Sequence, residues 1–374
     1  MVDTENGTIK PVPEQGKQAE LEAKSAPELF HLQIADLEWH IEGIFPQGLL
    51  TFSAPPKYGK SFMALDVVIE ICNGGSFFGR KCNKTGVLYF DLESNYRRPR
   101  DRLKNILQGR EIPGNLYFVT LENRQTGRSN KIKKLGHGFE EQLVQQLDKY
   151  PDVGLVVIDV YGKIRPKAQR GDSKQQDDEA YAPMVEICNS RSVSIMVITH
   201  DRKNHDSEDF LANVSGSYGI TGSSDTVWGL CRKNRTDADA VLAITGRDVE
   251  QQELAIQFDR KQKRWKYLGT AEEQATQRAV DAYTNSPITM TILALIERNK
   301  GQLKATPKEI IEQSEYLDSG KHKIYDTDKT VGKFIRNNQD FLYMIDKISL
   351  SKKRTQKGIE FSFLKEDALN NQAT

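Results

Sequence analysis

Residues 49–73, LLTFSAPPKYGKSFMALDVVIEICN, constrain the fold more than any other stretch of the chain. The apolar run LLTFSA predicts a strand, and the apolar stretch after the loop predicts a helix. Between them, Gly59, Lys60 and Ser61 match the end of the pattern Gly-x-x-x-x-Gly-Lys-[Ser/Thr], which binds phosphate between a strand and a helix. Ala54 stands where the pattern has its first glycine, and it costs little unless that position needs a positive φ. The sequence therefore predicts a phosphate site at the start of this helix.

The backbone of this loop supplies the predicted phosphate contacts. Pro55 and Pro56 have no N–H, but they lie upstream of the donors and stiffen the entry to the loop. The Lys60 ammonium is predicted to reach the β- and γ-phosphates of ATP, and the Ser61 hydroxyl to bind Mg²⁺. The predicted nucleotide contacts in the loop are Ala54, Lys57, Tyr58, Gly59, Lys60, Ser61 and Phe62.

Composition and charge exclude several classes of protein. The chain has 374 residues, enough for one large domain and a smaller one. Lysine and arginine number 53 and aspartate and glutamate 52, so any nucleic-acid surface must be local. The scattered cysteines argue against a disulfide framework or a zinc site and for a reducing compartment. No apolar run approaches the roughly 20 residues of a membrane span. We therefore expect a cytoplasmic protein with no membrane association.

Short apolar runs alternate with helical stretches over the first half of the chain. Their Val, Ile, Leu and Tyr content is typical of strands buried on both faces of a parallel sheet. The predicted strands span 49–54, 86–93, 116–120, 154–160 and 193–200. After residue 223, four further runs follow one another with short turns, which predicts an antiparallel extension of the same sheet. The predicted fold class is α/β.

The last segment predicts a small second domain. Three helices, at 288–300, 306–317 and 327–345, precede two strands at 348–365 around a basic turn. This order is typical of a winged helix. The polar residues 269–286 before it form either a linker or a solvated helix. Residues 1–28 predict a disordered tail, and residues 369–374 a second tail.

Carboxylates end two of the predicted strands. Asp159 ends the buried run GLVVIDV, where a metal-binding aspartate lies in P-loop ATPases; the alternative is an ordinary turn residue. Asp91 and Glu93 alternate at the end of VLYFDLES, so strand geometry points both to one face. We prefer Glu93 as the group that activates water, because it is nearer the carboxyl end of its strand. The alternative is a solvated strand end.

Taken in order, these motifs resemble those of a known family. They are APPKYGKSFMALDVVIEICNGG, FFGR, GVLYFDLESNYRRPRDRL, LVVIDV, VITHDRK and GSYGITGSSDTVWGL. They resemble the RecA-like P-loop ATPases typified by RepA-type hexameric replicative helicases, over roughly residues 40–260. The resemblance implies a RecA-like ATPase domain at 29–268, with a mainly parallel sheet and an antiparallel extension, before the winged-helix domain at 287–368. It also implies a ring-shaped homo-hexamer that hydrolyses ATP with Mg²⁺.

The resemblance assigns roles to single residues. Glu93 matches the catalytic glutamate, Asp159 the Walker B aspartate, and His200 the histidine that senses the γ-phosphate. Arg102 matches an arginine near the adenine base. The family's usual pair of histidines is Thr199-His200 here, which removes no indispensable group.

An arginine finger is also implied, inserted into the site of the neighbouring subunit. Arg247 is the best match, although the related helicases have Lys-x-Arg where this chain has Thr-Gly-Arg. Arg232 and Arg235 are the alternatives.

Two segments after central strands, 161–178 and 201–221, match the loops that line the central channel of such rings and contact single-stranded DNA. Their basic side chains suit phosphate tracking, and the alternative is a solvated loop. The predicted contacts are Lys163, Arg165, Lys167, Arg170 and Lys203.

The predicted winged helix has a basic surface of its own. It suits duplex DNA, with one helix in the major groove and the hairpin on phosphates, but winged helices also dock proteins such as replication factors. The candidates are Lys329, Lys333 and Arg336 on the predicted recognition helix and Lys352, Lys353, Arg354 and Lys357 on the hairpin tip.

These features favour an ATP-driven helicase or translocase in plasmid, phage or mobile-element replication. A second hypothesis is a DNA-bound regulator or helicase loader that uses ATP as a switch. A third is a recombinase that forms open filaments, but the chain has no evident N-terminal polymerisation motif.

Overall fold

The computed structural model describes residues 23–34, 36–123, 127–166, 173–200, 222–232, 239–317, 323–356 and 358–366. Side chains are described at these positions except at 123, 128 and 173–180. The chain divides into two compact units, Met1–Glu38 and Trp39–Thr374.

The first unit has one helix among its described residues, α1 (Ala26–Phe30). A capping box begins it, because the Ser25 hydroxyl accepts from the Glu28 backbone N–H while the Glu28 carboxylate accepts from the Ser25 backbone N–H. This helix starts within the predicted disordered tail, and residues 1–22 of that prediction lie outside the described residues.

A nine-stranded sheet is the framework of the second unit. In sheet order, its strands are β15 (Arg264–Thr270), β14 (Gln252–Asp259), β13 (Asp239–Gly246), β12 (Thr226–Cys231), β3 (Leu49–Ala54), β11 (Ser194–His200), β10 (Val153–Asp159), β6 (Gly86–Asp91) and β7 (Leu116–Thr120). The five strands from β3 to β7 in this order are parallel, as predicted. Every residue of β3 and β6 is buried, which explains why both runs are continuously apolar.

The direction of β12 corrects the predicted antiparallel extension. β12 pairs parallel with β3, with Thr226 opposite Leu50, and antiparallel with β13. Strands β13, β14 and β15 are antiparallel to their neighbours. Residues 201–225 separate β12 from β11, so no tight turn forces an antiparallel pairing at that point. The antiparallel extension therefore begins one strand later than the sequence pattern indicates.

Helices α2 (Lys60–Asn73), α3 (Arg97–Leu107), α4 (Phe139–Lys149) and α5 (Ser173–Arg191) alternate with the parallel strands. One core cluster contains Val68 of α2 and Trp228 of β12. A second contains Leu143 of α4, Met184 of α5 and Val197 of β11. Because α2 is buried along most of its length, β3 and α2 hold the loop between them from both ends.

Short antiparallel strand pairs lie outside the nine-stranded sheet. They are β1 (Trp39–Ile41) with β2 (Phe45–Pro46), β4 (Ser76–Phe77) with β5 (Arg80–Lys81), and β8 (Glu122–Asn123) with β9 (Arg128–Ser129). A 3-10 turn, Tyr161–Lys163, follows β10. Among the described residues, no helix is long and apolar enough to cross a membrane.

A small helical segment with its own sheet follows β15. Its elements are α6 (Ala271–Thr284), α7 (Pro287–Arg298), β16 (Gln302–Ala305), α8 (Pro307–Ser314), α9 (Asp328–Asn337), α10 (Gln339–Met344), β17 (Ile348–Thr355) and β18 (Gly358–Lys365). The strands form an antiparallel sheet in the order β16-β18-β17, and a separate apolar core includes Ile292, Val331 and Phe361. Of the two alternatives for residues 269–286, the structure has the helix, α6, whose Tyr283 lies in that core.

This segment differs from the sequence prediction at three places. The predicted third helix is two helices, because the backbone of Asn338 leaves the helical region (φ −111°, ψ 20°). The four residues of β16 were not predicted. The basic residues Lys352, Lys353 and Arg354 lie within β17 and not on the hairpin tip, since the pairing runs on to Thr355 opposite Gly358. Lys357 lies outside the described residues.

Candidate active site

The loop from residue 55 to residue 59 joins β3 directly to α2. Two of its residues have left-handed backbones, Lys57 (φ 69°) and Gly59 (φ 95°). Gly59 is the N-cap of α2, so the first backbone N–H groups of the helix and its positive dipole end face the loop. The Phe62 N–H donates to the Gly59 carbonyl at 3.1 Å, and its predicted contact with the nucleotide stays a prediction. The Phe62 ring packs beneath a guanidinium.

Lys60 is buried, and its ammonium connects the loop to the end of a neighbouring strand. The Nζ atom donates to the carbonyl oxygens of Ala54 and Pro55, the latter at 3.2 Å, and to His200 Nδ1 at 3.0 Å. An ammonium has no acceptor lone pair, so Nδ1 accepts and the imidazole is neutral. Burial and the Lys60 charge both lower the pKa of His200, which agrees with a neutral ring.

Strand register explains why these two residues meet. β11 pairs parallel with β3, and His200 is the register partner of Ala54. Both strands therefore end at the same edge, and the loop starts next to the imidazole. The Glu93 carboxylate is close enough to raise the pKa of His200, against the two lowering effects.

Asp159 is buried at the end of β10, on the same edge. Its Oδ2 accepts from the Tyr89 hydroxyl at 2.9 Å, and its carboxylate also hydrogen-bonds the Ser61 side chain. Burial raises the pKa of Asp159, while the hydrogen bonds from Ser61 and Tyr89 work in the opposite direction. A hydroxyl beside a carboxylate is a donor set that suits a hard divalent cation.

The structure separates Asp91 from Glu93, which the predicted strand alternation placed on one face. β6 ends at Asp91, so the alternation does not reach Glu93. Asp91 is buried and its Oδ1 accepts from the Glu93 backbone N–H at 3.4 Å, whereas Glu93 lies in the following turn with an exposed side chain. The pair that does share a face is Tyr89 and Asp91, and both lie near Asp159. That alternation was readable in VLYFD, but the sequence reasoning overlooked Tyr89.

Arg102 lies on α3 and faces the carboxylates. Its Nη1 is 3.9 Å from Asp91 Oδ2, and its guanidinium carbon is 5.6 Å from the centre of the Phe62 ring. The structure therefore gives Arg102 an electrostatic partner in this site. Its predicted place near an adenine base stays a prediction.

Arg247 lies at the end of the sheet where the parallel strands begin, and the phosphate loop lies at the other end. It follows Gly246, which pairs with Thr226, and Thr226 lies opposite Leu50 near the start of β3. Its Nη1 is 3.0 Å from Asp225 Oδ1, and its side chain is 64% exposed. Arg247 cannot reach the Lys60 of its own chain.

Arg232 is one alternative to Arg247. It directly follows β12, at the same end of the sheet as the phosphate loop. Its guanidinium carbon is 4.8 Å from the centre of the Trp265 ring and 5.9 Å from that of Tyr58. Trp265 in turn packs against the loop, because a methyl group built on Gly59 would lie 3.2 Å from its Cζ2. Sequence reasoning missed Trp265, and no motif or spacing marks it. Arg235 lies outside the described residues.

Two of the five predicted channel-loop residues fall within the described residues. Lys163 is exposed at the end of the 3-10 turn, and Arg165 is partly buried. Lys167, Arg170 and Lys203 lie outside the described part of the chain. On α9, Lys329, Lys333 and Arg336 are all exposed.

A family model described as AAA domain matches residues 17–206, just over half of the chain. The chain belongs to the AAA domain family. The family, the phosphate loop and the mostly parallel sheet together give a RecA-like P-loop ATPase fold.

Two solved structures are similar to this chain. A DnaB-like replicative helicase, described with its interactions with primase, is 12% identical over 59% of this chain and 57% of its own, with a TM-score of 0.45. A KaiC-like protein of Pyrococcus horikoshii is 14% identical over 61% of this chain and 93% of its own, with a TM-score of 0.41. The match thus spans less than two thirds of the helicase. No curated protein matches the chain.

Proposed function

We propose that this protein is an ATP-hydrolysing, RepA/DnaB-like DNA helicase or single-stranded DNA translocase that acts in plasmid, phage or mobile-element replication. The supporting observation is the cluster at the carboxyl edge of the sheet, with Lys60 on His200, Ser61 on Asp159 and Glu93 beside His200. It brings together a cation for phosphate, a hydroxyl and a carboxylate for a metal, a base, and a group that can respond to the phosphate. Phosphoryl transfer to water needs this set.

Lys60 and His200 act as a linked pair in this proposal. Lys60 supplies the charge for the β- and γ-phosphates and also donates to His200. A lysine drawn to phosphate leaves the His200 Nδ1 free to accept another donor. His200 at the end of β11 then reports the nucleotide state to residues 201–221, which begin immediately after it.

Ser61 and Asp159 are the proposed Mg²⁺ residues, the aspartate through metal-bound water. Their mutual hydrogen bond and the Tyr89 hydroxyl fix the orientation of the carboxylate. Mg²⁺ takes few protein ligands in such sites and completes its shell with phosphates and water. Bound there, it would neutralise charge that develops on the phosphate oxygens.

Glu93 is the proposed base that takes a proton from the attacking water. It lies in the turn after β6, exposed, with its backbone held by Asp91. A carboxylate in this position can receive a proton without losing a hydrogen bond that holds the core. Asp91, by contrast, is buried beside Arg102 and serves to position the turn.

Arg247 supports the proposed ring, because it lies on the edge away from its own site. An exposed arginine there suits insertion into the site of a neighbouring copy. We propose a homo-hexamer on this basis and from the resemblance. All four cysteines lie among the described residues, none of them is in a disulfide, and three are buried, which supports a cytoplasmic setting.

DNA contact is proposed for two surfaces. Single-stranded DNA would meet the two channel segments, 161–178 and 201–221. The order of helices and strands from α7 to β18 supports a winged helix, which would place α9 against duplex DNA, or against a replication protein. Its exposed cations are Lys329, Lys333 and Arg336 on α9 and Lys352, Lys353 and Arg354 on β17.

An unwinding assay tests this proposal. Purified protein should hydrolyse ATP faster when single-stranded DNA is added, and it should separate a forked duplex only with hydrolysable ATP and Mg²⁺. Negative-stain imaging should show closed rings. Hydrolysis that ignores DNA, together with no strand separation on either fork polarity, would refute the helicase assignment.

A second candidate is an ATP-switched DNA-binding regulator or helicase loader, favoured by the exposed cations of α9. A sequence-specific footprint on duplex DNA that survives Lys60→Ala, with no unwinding, would support it over the helicase.

A further inference from the structure

Trp265 lies against the phosphate loop although three strands separate its strand from β3 in the sheet. It is the second residue of β15 and is 4% exposed. A methyl group on Gly59 would lie 3.2 Å from Trp265 Cζ2 and 3.6 Å from its Nε1. The indole thus borders the last residue of the loop with its ring carbon Cζ2 and, slightly farther away, with its Nε1.

The indole N–H of Trp265 is buried and has no hydrogen-bond partner among the described residues. Trp228 shows the contrast within the same core, since its Nε1 donates to the Ile44 carbonyl at 3.0 Å. Buried donors are nearly always paired, because an unpaired one loses its water and gains nothing. An unpaired donor beside a phosphate loop therefore indicates a ligand acceptor.

The surroundings of this N–H favour an oxygen with negative charge. The Arg232 guanidinium covers the Trp265 ring at 4.8 Å, and the start of α2 adds its positive dipole end. Tyr58, the residue before Gly59, borders the same guanidinium at 5.9 Å. The Arg232 guanidinium and the start of α2 thus place two sources of positive potential at one end of the loop.

We propose that Trp265 is a nucleotide-binding residue whose indole N–H donates to a phosphate or ribose oxygen of the nucleotide held by the loop. This role rests on the proposed function, and it adds to the nucleotide site a contact from β15, the edge strand of the sheet. The position of Gly59 favours glycine for two reasons. A side chain there would crowd the Trp265 indole, and a non-glycine residue would have to adopt a left-handed backbone.

The test replaces the donor and keeps the shape. Trp265 is replaced by 3-benzothienylalanine through codon suppression, which exchanges only the N–H for sulfur, and by phenylalanine in a second variant. Binding of a fluorescent, non-hydrolysable ATP analogue with Mg²⁺ gives the Kd, and thermal unfolding without nucleotide gives the Tm. Trp228→Phe is the matched control, because it removes an indole that already has its partner.

The expected result is a Kd about tenfold higher for both Trp265 variants, as for loss of a hydrogen bond to a charged group. The benzothienyl variant should keep the wild-type Tm without nucleotide, whereas Trp228→Phe should lower the Tm and keep the Kd. A benzothienyl variant with wild-type Kd would overturn the role of Trp265 and leave the ATPase proposal intact. If the wild-type protein binds no nucleotide, or if the Lys60→Ala variant binds it as tightly as the wild type, both the role of Trp265 and the ATPase proposal are overturned.

Discussion

Arg264 holds a buried pair of carboxylates, and its removal gives a loss of stability with a defined pH dependence. Its Nε is 2.7 Å from Asp66 Oδ1, and its Nη2 is 2.7 Å from Glu70 Oε1. Glu70 has a second partner, the Arg110 Nη1 at 2.7 Å. This network ties the hairpin that carries Trp265 to the helix that follows the phosphate loop.

Arg264→Met keeps most of the side-chain stem and removes the charge. Breaking a buried ion pair by deleting one partner costs about 3–5 kcal/mol, because the other charge stays buried. Glu70 keeps Arg110, so only Asp66, with a side chain 1% exposed, loses its cation. We therefore expect a loss at the low end of that range, about 3 kcal/mol, near neutral pH.

The loss of unfolding free energy in Arg264→Met should be smaller at acidic pH, because Asp66 becomes protonated there. Burial raises the pKa of Asp66 from 3.8 to about 6, with Arg264 acting against this and Glu70 adding to it. A carboxyl with a raised folded-state pKa contributes stability below its unfolded pKa, and that contribution is lost as the pH rises through the folded pKa. Without Arg264 the folded pKa rises further, so Asp66 is neutral at about pH 5 and no buried charge is left unpaired.

Urea unfolding followed by tryptophan fluorescence measures this effect at about pH 5 and about pH 7.5. Arg264→Met should lose clearly more free energy of unfolding at the higher pH, and Asp66→Asn should recover much of the loss in the double variant. Arg278→Met, which breaks an exposed pair with Asp239, should cost less than about 1 kcal/mol at both values. Equal losses of Arg264→Met at the two pH values, or no recovery by Asp66→Asn, would show that Asp66 is not the charge that Arg264 compensates.

Three further predictions concern the site itself. Gly59→Ala should lower the Tm and the nucleotide affinity together, because a left-handed backbone costs a non-glycine residue about 1–2 kcal/mol; thermal unfolding with and without ATP measures both. Tyr89→Phe removes a donor that lowers the pKa of Asp159, so the acidic limb of the pH profile of kcat should move to higher pH, and an unchanged profile would count against it. Arg247→Ala should bind ATP normally but hydrolyse it slowly, and rings mixed with Lys60→Ala subunits should regain partial activity if the arginine acts across subunits.

Short sequence patterns predict much of the candidate site. The loop at residues 55–59 and Ser61 follow from a strand, a short motif and a helix that are close in sequence, and Asp159 follows from its place at the end of a buried apolar run. The approach of His200 to Lys60 also follows once β11 is placed beside β3, because parallel strands end at one edge. Their catalytic roles stay predictions.

The sequence patterns do not show which distant segments come together in the fold. Apolar periodicity has no direction, so β12 was expected to be antiparallel and is parallel to β3. Trp265 reaches Gly59 only because the sheet brings a distant edge strand over the loop, which no local pattern reports. The break at Asn338 and the short strand β16 depend on packing in the small C-terminal core, and helix propensity alone missed both.

We propose that one cluster of side chains hydrolyses ATP: Lys60, Ser61, Asp159, Glu93 and His200. The most direct test is Glu93→Gln, which removes the proposed base and leaves the phosphate loop intact. Steady-state hydrolysis with Mg²⁺ and single-stranded DNA should fall by about 10²–10⁴-fold, while the Kd for the ATP analogue stays within about twofold of wild type. A Glu93→Gln enzyme with the wild-type hydrolysis rate would show that this cluster is not the site of hydrolysis.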